Sequence, residues 1–363
     1  MINQDNQNYK ENIIKLIESQ SCICDRYIDI SRIDQGAGDG TFSLVFKAKD
    51  RNSHNNPCKQ KQVALKFFNP LNNNKYRQEC FYRESDIIKD LKGQPNILPL
   101  IQERTNIEII LENNGISYPF PFMFYSSELA NISIKNYIYN SETNALTNVL
   151  YFRDICKAVQ RIHSNDICHR DIKPGNFLVY KGNYVCLSDF GTAKYMGGKG
   201  SSLLNDYPTS PGDRRYAAPE LSCGLHFSDE YNCFADIYSL GAILFELFAK
   251  TILNSNIYRG NEMNELSLYF SNIPERNRIE IFNNFIDGFA KDKELPNVEL
   301  FDDTIPKVIA HEVNVLYKYL AALDYRDRLL NFQRIFLKIN ICEKIIKNRI
   351  KIQRWKRRWK HNY

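Results

Sequence analysis

Eight residues constrain this chain more than any other stretch: His169-Arg170-Asp171-Ile172-Lys173-Pro174-Gly175-Asn176, running straight into the apolar Phe177-Leu178-Val179. A carboxylate, an amine and an amide stand at i, i+2 and i+5. Pro174 forbids a regular helix through them, because it has no N–H and its ring blocks the preceding turn. The result is a short fixed loop that shows a base, a cation and a metal ligand on one side. Phosphoryl transfer needs this set: a carboxylate to orient a hydroxyl, a positive charge for the moving phosphate, and an amide oxygen for Mg²⁺. Taken alone, the stretch also reads as an ordinary polar loop joining two apolar elements. Its companions along the chain decide between the two.

At 363 residues the chain can bury one large core or two moderate ones. No run of about 18 uncharged apolar residues occurs, so no membrane span is expected, and Met1 to Lys15 lacks the apolar stretch of a signal peptide. Of the ten cysteines only Cys22 and Cys24 lie close together, and no pair has Cys-x-x-Cys zinc spacing. Reduced thiols in a cytoplasmic chain are the expectation. The net charge of +6 is a property of the tail: Lys338 to Tyr363 carries ten Lys/Arg against Glu343 alone, which leaves residues 1–337 at −3.

Residues 1–27 are polar apart from Ile13, Ile14, Leu16 and Ile17, which suggest a short helix that caps the body or binds a partner. From Tyr27 to Lys49 the pattern is strand, glycine turn, strand, with the turn at Gly36-Ala37-Gly38-Asp39-Gly40. Glycines there let backbone N–H groups approach phosphates. A dinucleotide-binding turn would open into a helix instead. Val63 to Phe68 is an apolar strand carrying one lysine, Lys66, which needs a charged partner or an edge position. The helix expected over Lys75 to Lys92 offers Glu79 and Glu84. Two further strands, Ile97–Leu111 and Ser117–Tyr125, complete a small unit, and Ser126 to Ala130 links it onward. A helix is expected over Ile134 to Ser164, and a strand leads to Ser188-Asp189-Phe190-Gly191. The polar, glycine-rich stretch from Thr192 to Gly212 then runs to Ala218-Pro219-Glu220. Tyr231 to Lys250 is an apolar helix with one aspartate, Asp236, near its start. Residues 251–308 are irregular, with helical patches near Ile279 to Phe289, and Val313 to Leu323 is a helix followed by Arg328.

These elements, in this order, resemble the protein kinase superfamily over about residues 28–335, and Lys173 in the loop is the serine/threonine form. The resemblance implies an α+β, bilobal fold: a small antiparallel β-sheet lobe with one main helix (28–127), and a large, mostly α-helical lobe (128–335). Residues 1–27 are then an amino-terminal extension and 336–363 a basic amphipathic tail. It further implies ATP in the interlobe cleft and Mg²⁺ held by Asn176 and Asp189, 18 positions after Asp171. Asp171 is the expected catalytic base, with Lys173 beside the γ-phosphoryl. Gly38 and Gly40 would cover the phosphates, with Ser43 in place of the third family glycine. Lys66 would hold phosphates with Glu84 as partner, Glu79 being the fallback. Val45, Ala64 and Leu178 would flank adenine. Thr209 and Ser210 lie in the expected activation segment, with Arg170 as phosphate partner. Asp236 would hold the loop backbone, and Glu220 with Arg328 would be a structural pair.

One departure stands out: Asp213 occupies a position where serine/threonine members usually carry threonine. An ionised carboxylate there accepts from Lys173 but repels Asp171. Two other function classes are weighed. A nucleotide-binding pseudokinase scaffold would normally lack one of Lys66, Asp171, Asn176 and Asp189, yet all four are present. A small-molecule hydroxyl kinase would lack Ala218-Pro219-Glu220 and the long segment before it. In the tail, Ile341, Ile345, Ile352, Trp355 and Trp359 fall on one helical face among basic residues. That pattern suits an anionic membrane surface, an acidic protein, nucleic acid, inhibition of the body, or simple packing on the large lobe.

Overall fold

The computed structural model describes residues 2–33, 43–70, 74–113, 116–198, 211–302 and 305–361. At 2–9, 111–113, 116, 353 and 355–361 it describes the backbone alone. Gly38, Gly40, Thr209 and Ser210 lie outside the described residues. The chain divides into two compact units, Met1–Asn131 with Asp189–Gly191, and Ile132–Ser188 with Thr192–Tyr363.

The first unit is built on β1 (Tyr27–Arg32), β2 (Ser43–Asp50), β3 (Lys61–Phe68), β4 (Leu100–Asn113) and β5 (Ile116–Glu128). They form one sheet in the order β1-β2-β3-β5-β4, with every pair antiparallel. Side chains alternate across a strand, so β3 buries Val63, Leu65 and Phe67 on one face and leaves Ala64 and Lys66 half-buried on the other. The buried face joins Phe46, Phe122 and Phe124 in a core that also takes Ile13, Ile14 and Ile17 from α1 (Ile2–Glu18). Each such side chain contributes roughly 1.5–3 kcal/mol on leaving water. The amino-terminal residues therefore belong to this unit's core. α2 (Lys75–Asp90) starts where the Asn74 side chain accepts from the Tyr76 N–H, and brings Glu84 to the Lys66 face.

Among the described residues, the second unit carries two small sheets. β6 (Ile132–Ser133), β8 (Phe177–Val179) and β9 (Val185–Leu187) form one, and β7 (Ile167–Cys168) pairs with β10 (Lys194–Tyr195) in the other. Its helices are α3 (Ile134–Asn140), α4 (Ala145–His163), α5 (Pro219–Ser222), α6 (Asp229–Ala249), α7 (Asn254–Ile257), α8 (Glu262–Ser271), α9 (Glu275–Asp292), α10 (Lys307–Leu320) and α11 (Phe332–His361). α6 is long and apolar enough to cross a membrane, but 89% of that stretch is buried inside the unit, as in a core helix. α10 ends hard against it. A Cβ on Gly241 would sit 2.6 Å from the Ala321 nitrogen, so the approach needs glycine.

Three expectations change. The helix over Ile134 to Ser164 is two helices, because the polar Ser141-Glu142-Thr143-Asn144 interrupts it and Asn144 caps a new start by accepting from the Thr147 N–H at 2.9 Å. Residues 251–308 hold more helix than expected: α8 and α9 bury Phe270, Phe282, Ile286 and Phe289 at helical spacing within otherwise polar sequence. The tail is the last stretch of α11, which already begins at Phe332. Its buried stripe is Ile335, Ile339, Cys342 and Ile346, packed with α4 and α10. Ile341 and Ile352 are 37% and 55% exposed, and the Trp355 and Trp359 side chains lie outside the description. Periodicity over the tail weighted its far end, whereas packing is set by the half that reaches other helices.

Candidate active site

In the first unit β3 places Lys66 opposite α2, and the register sets Val45 beside Lys66 and Lys47 beside Ala64. Lys66 Nζ donates to both oxygens of Glu84, at 2.6 and 2.8 Å, and to Asp189 Oδ1 at 3.3 Å. Glu84, not Glu79, is the glutamate that meets the lysine. Tyr125, on β5 directly across from Lys66, donates its Oη–H to Glu84 Oε1 at 2.9 Å. Burial works against the Lys66 ammonium, but Asp189 and then Glu84 outweigh it and hold its pKa well above the usual lysine range. Burial also raises the Glu84 carboxyl, an effect partly offset by Lys66. Arg83 donates to the Gly191 carbonyl at 2.9 Å and steadies the segment that carries Asp189. Val45 and Ala64 remain half-buried among buried strand neighbours.

In the second unit β7 delivers the chain to His169–Asn176. Arg170 has φ +65°, a left-handed conformation that costs a bulky residue about 1–3 kcal/mol. Asp236, 1% exposed in α6, offsets this. Its Oδ2 accepts from the His169 N–H at 2.8 Å and its Oδ1 from the Arg170 N–H at 2.9 Å. Hydrogen bonds to a charged group contribute about 1.5–3 kcal/mol each. Arg170 Nε donates to the Thr192 carbonyl at 2.7 Å, and Thr192 Oγ1 donates to the His169 carbonyl at 3.1 Å.

The loop then gathers its polar side chains. Lys173 Nζ donates to Asp171 Oδ2 at 2.8 Å. Asn176 Nδ2 donates to the Asp171 carbonyl at 2.8 Å and to Oδ2 at 3.2 Å, which leaves its amide oxygen for another partner. The Ser188 N–H and Oγ–H both donate to the Asn176 carbonyl at 2.9 Å. Leu178 is half-buried between buried Phe177 and Val179. An amide oxygen on Asn176 and a carboxylate on Asp189 are hard oxygen donors of the kind Mg²⁺ prefers.

Asp213 resolves differently from the expectation of a carboxylate facing Lys173 and repelling Asp171. Its backbone N–H donates to Asp171 Oδ1 at 2.8 Å. Its carboxylate turns to Arg215, accepting from Nε at 3.0 Å, Nη2 at 2.6 Å and the backbone N–H at 3.1 Å. Burial alone would raise the Asp213 pKa, but these bonds, with Lys173 nearby, hold it below the usual range. Gly212 makes the turn possible: φ is +89° and a Cβ would run into the Arg170 carbonyl oxygen. Arg328 grips Glu220 through both terminal nitrogens with neither side chain exposed, and it also donates to the Phe234 and Ala322 carbonyls.

Residues 32–335 match the family described as "Protein kinase domain". The chain belongs to that family. Its small β-rich unit and larger helical unit are the two parts of the bilobal kinase fold. Similar proteins include the "Probable serine/threonine-protein kinase glkA" of Dictyostelium discoideum, 30% identical over 63% of this chain and 41% of that protein. A "Mitogen-activated protein kinase homolog" of Nicotiana tabacum is 25% identical over 85% of this chain and 73% of its own. "Cyclin-dependent kinase D-1" of Arabidopsis thaliana is 26% identical over 70% and 56%. The chain spans 25–41% of the length of the first curated relatives it matches.

Within the kinase frame, sequence reasoning missed Tyr125, Arg83 and Arg215. Tyr125 was visible only as the last residue of an expected strand. Arg215 carried a usable signal, since an acid two residues before an arginine in a tight loop offers a local ion pair.

Proposed function

We propose that the chain is an ATP-dependent serine/threonine protein kinase that moves the γ-phosphoryl group of ATP to hydroxyls of protein substrates. The observation that carries this reading is the intact loop, in which Asp171 Oδ2 accepts from Lys173 and Asn176 and Oδ1 accepts from the Asp213 N–H. Asp171 orients the acceptor hydroxyl and takes its proton, and Lys173 stabilises charge on the moving phosphoryl. Lys66, fixed by Glu84, holds the phosphates; Gly38 and Gly40 cover them, and Val45, Ala64 and Leu178 flank adenine. Asn176 and Asp189 would hold Mg²⁺, which supplies charge neutralisation at the phosphates.

The Asp213–Arg215 pair favours a working enzyme over a nucleotide-binding scaffold, since it removes a second free carboxylate from beside the base. Regulation by phosphorylation at Thr209 or Ser210, with Arg170 as partner, belongs to the same proposal. So does a cytoplasmic location, which ten free cysteines support. The basic residues of the tail suit an anionic partner. Radiolabelled ATP, incubated with the protein with and without a general protein acceptor, tests the reading. Label on serine and threonine of the acceptor is expected. Binding of ATP without any transfer would favour the scaffold, and label on small hydroxyl compounds alone would favour a small-molecule kinase.

A further inference from the structure

Directly before the catalytic loop, the second unit holds a sulfur cluster that phosphoryl transfer does not use. Cys168 ends β7 and is fully buried, and Cys233 lies one turn before Asp236 on α6 and is half-buried. Their sulfurs meet at 2.6 Å, and the Cys233 thiol donates to Met196 Sδ at 3.0 Å. A His163 ring nitrogen and both cysteine sulfurs lie within 4.8 Å of one another, and His163 Nε2 meets Asp236 Oδ2 at 3.0 Å.

We propose that Cys168 and Cys233 form a reversible disulfide that cross-links the catalytic loop to α6 and makes transfer sensitive to peroxide. The two segments it would join are those Asp236 already ties through the His169 and Arg170 N–H groups. The covalent link therefore acts on the residues that set the left-handed turn before Asp171. The regulatory part rests on the catalytic reading of that loop; the chemistry of the cysteines does not.

The geometry favours a disulfide over a metal site. Thiolates around a tetrahedral zinc, at bonds of about 2.3 Å, stand roughly 3.7 Å apart, whereas these sulfurs touch. The hydrogen bond to Cys233 is the largest influence holding the proton on Cys168, followed by burial, so its thiol sits far above the usual range. Cys233, the more exposed of the two, is the sulfur that a peroxide reaches first and that attacks its oxygen.

In that step the O–O bond of hydrogen peroxide breaks, an S–O bond forms at Cys233, and one water leaves. Cys168 sulfur then displaces the oxygen. The S–O bond breaks, the S–S bond forms, and a second water carries off the Cys168 proton. Two thiols lose two electrons and two protons, and the peroxide takes up both. A thiol reductant reverses the reaction by exchange.

The test treats the full-length protein with hydrogen peroxide, alkylates remaining thiols, and digests it without reduction. A peptide pair joined through Cys168 and Cys233 is expected, disappearing on dithiothreitol treatment. Transfer should fall several-fold on oxidation and recover on reduction, while Cys233→Ser and Cys168→Ala each keep the resting rate and lose the response. Both cysteines alkylated under conditions that already oxidise exposed Cys24 and Cys58 would overturn the proposal. So would zinc or copper bound to the pair in the purified protein. A cross-link that leaves transfer unchanged would overturn the coupling. The cross-link is read by mass, so a protein inactive before treatment would count against the kinase reading and not against the disulfide.

Discussion

In the first unit one ammonium, Lys66, faces two carboxylates, Glu84 at 2.6 Å and Asp189 at 3.3 Å. In the second, one guanidinium, Arg328, faces the single carboxylate of Glu220, and backbone carbonyls take its remaining donors. The Arg328 pair has no exposed surface and its charges balance. The Lys66 cluster keeps 18% of the lysine and 48% of Asp189 exposed and is one negative charge in excess. A buried pair used for structure must be complete, because any leftover charge is costly away from water. A cluster that keeps one carboxylate in excess holds it on the exposed side, where water or a cation can balance the charge. In the loop, the Asp171 carboxylate accepts from Lys173 and Asn176 at Oδ2 and from the Asp213 N–H at Oδ1.

The sharpest way to break this contrast is Asp171→Ala. Transfer should fall by about 10²–10⁴-fold, with ATP binding and the melting temperature nearly unchanged, as read by a transfer assay, nucleotide titration and thermal melt. A large loss of stability with the activity loss would make Asp171 a structural residue after all. Arg328→Ala should do the reverse. It strands the Glu220 carboxylate at zero exposure, at a cost of roughly 3–5 kcal/mol, measured by denaturant unfolding, and whatever protein remains folded should transfer normally.

Glu84→Gln falls between them. The neutral amide still fills the site and still meets Tyr125, and Lys66 keeps Asp189 as a partner, so unfolding should shift by only about 1–2 kcal/mol. Transfer should fall about 10–100-fold, because the lysine is no longer fixed between two anions. Equal losses from Glu84→Gln and Arg328→Ala in stability would erase the distinction between the clusters.

How much of this was legible before the fold depended on whether a partner was near in sequence or fixed by a strong pattern. Asp171, Lys173 and Asn176 are close neighbours, and an apolar strand with a single lysine demands an acid, so Lys66 and Glu84 could be matched on helical spacing. Asp236 stood out as the one aspartate in the apolar stretch Tyr231–Lys250. Tyr125 was not legible, because its role comes from strand register: it lies across from Lys66 only once β3 and β5 pair. The tail misled for a related reason. Helical periodicity locates an apolar face, but Ile335 and Ile339 are buried where α11 packs with α4 and α10, while Ile352, on the stripe the pattern favoured, is 55% exposed.

The smallest expected effect concerns Asp213, where the sequence alone pointed to repulsion beside the base. Arg215 is 58% exposed, so its ion pair with Asp213 is screened and is worth about 0.5–1 kcal/mol. The sign of its pH dependence follows from the direction of the shift. Asp213 holds its proton less tightly folded than unfolded, so its contribution is fully present above the ordinary carboxylate pKa of about 3.9. It is lost as pH falls through the lower folded value. Melts of the protein and of Arg215→Ala should therefore differ by a constant small amount near neutrality and converge in acid. Transfer by Arg215→Ala should drop by a few-fold, because the freed carboxylate can turn toward Lys173 and compete with Asp171 for it. A variant with unchanged transfer would mean that the Asp213 N–H alone positions the base and that the direction of its carboxylate is immaterial.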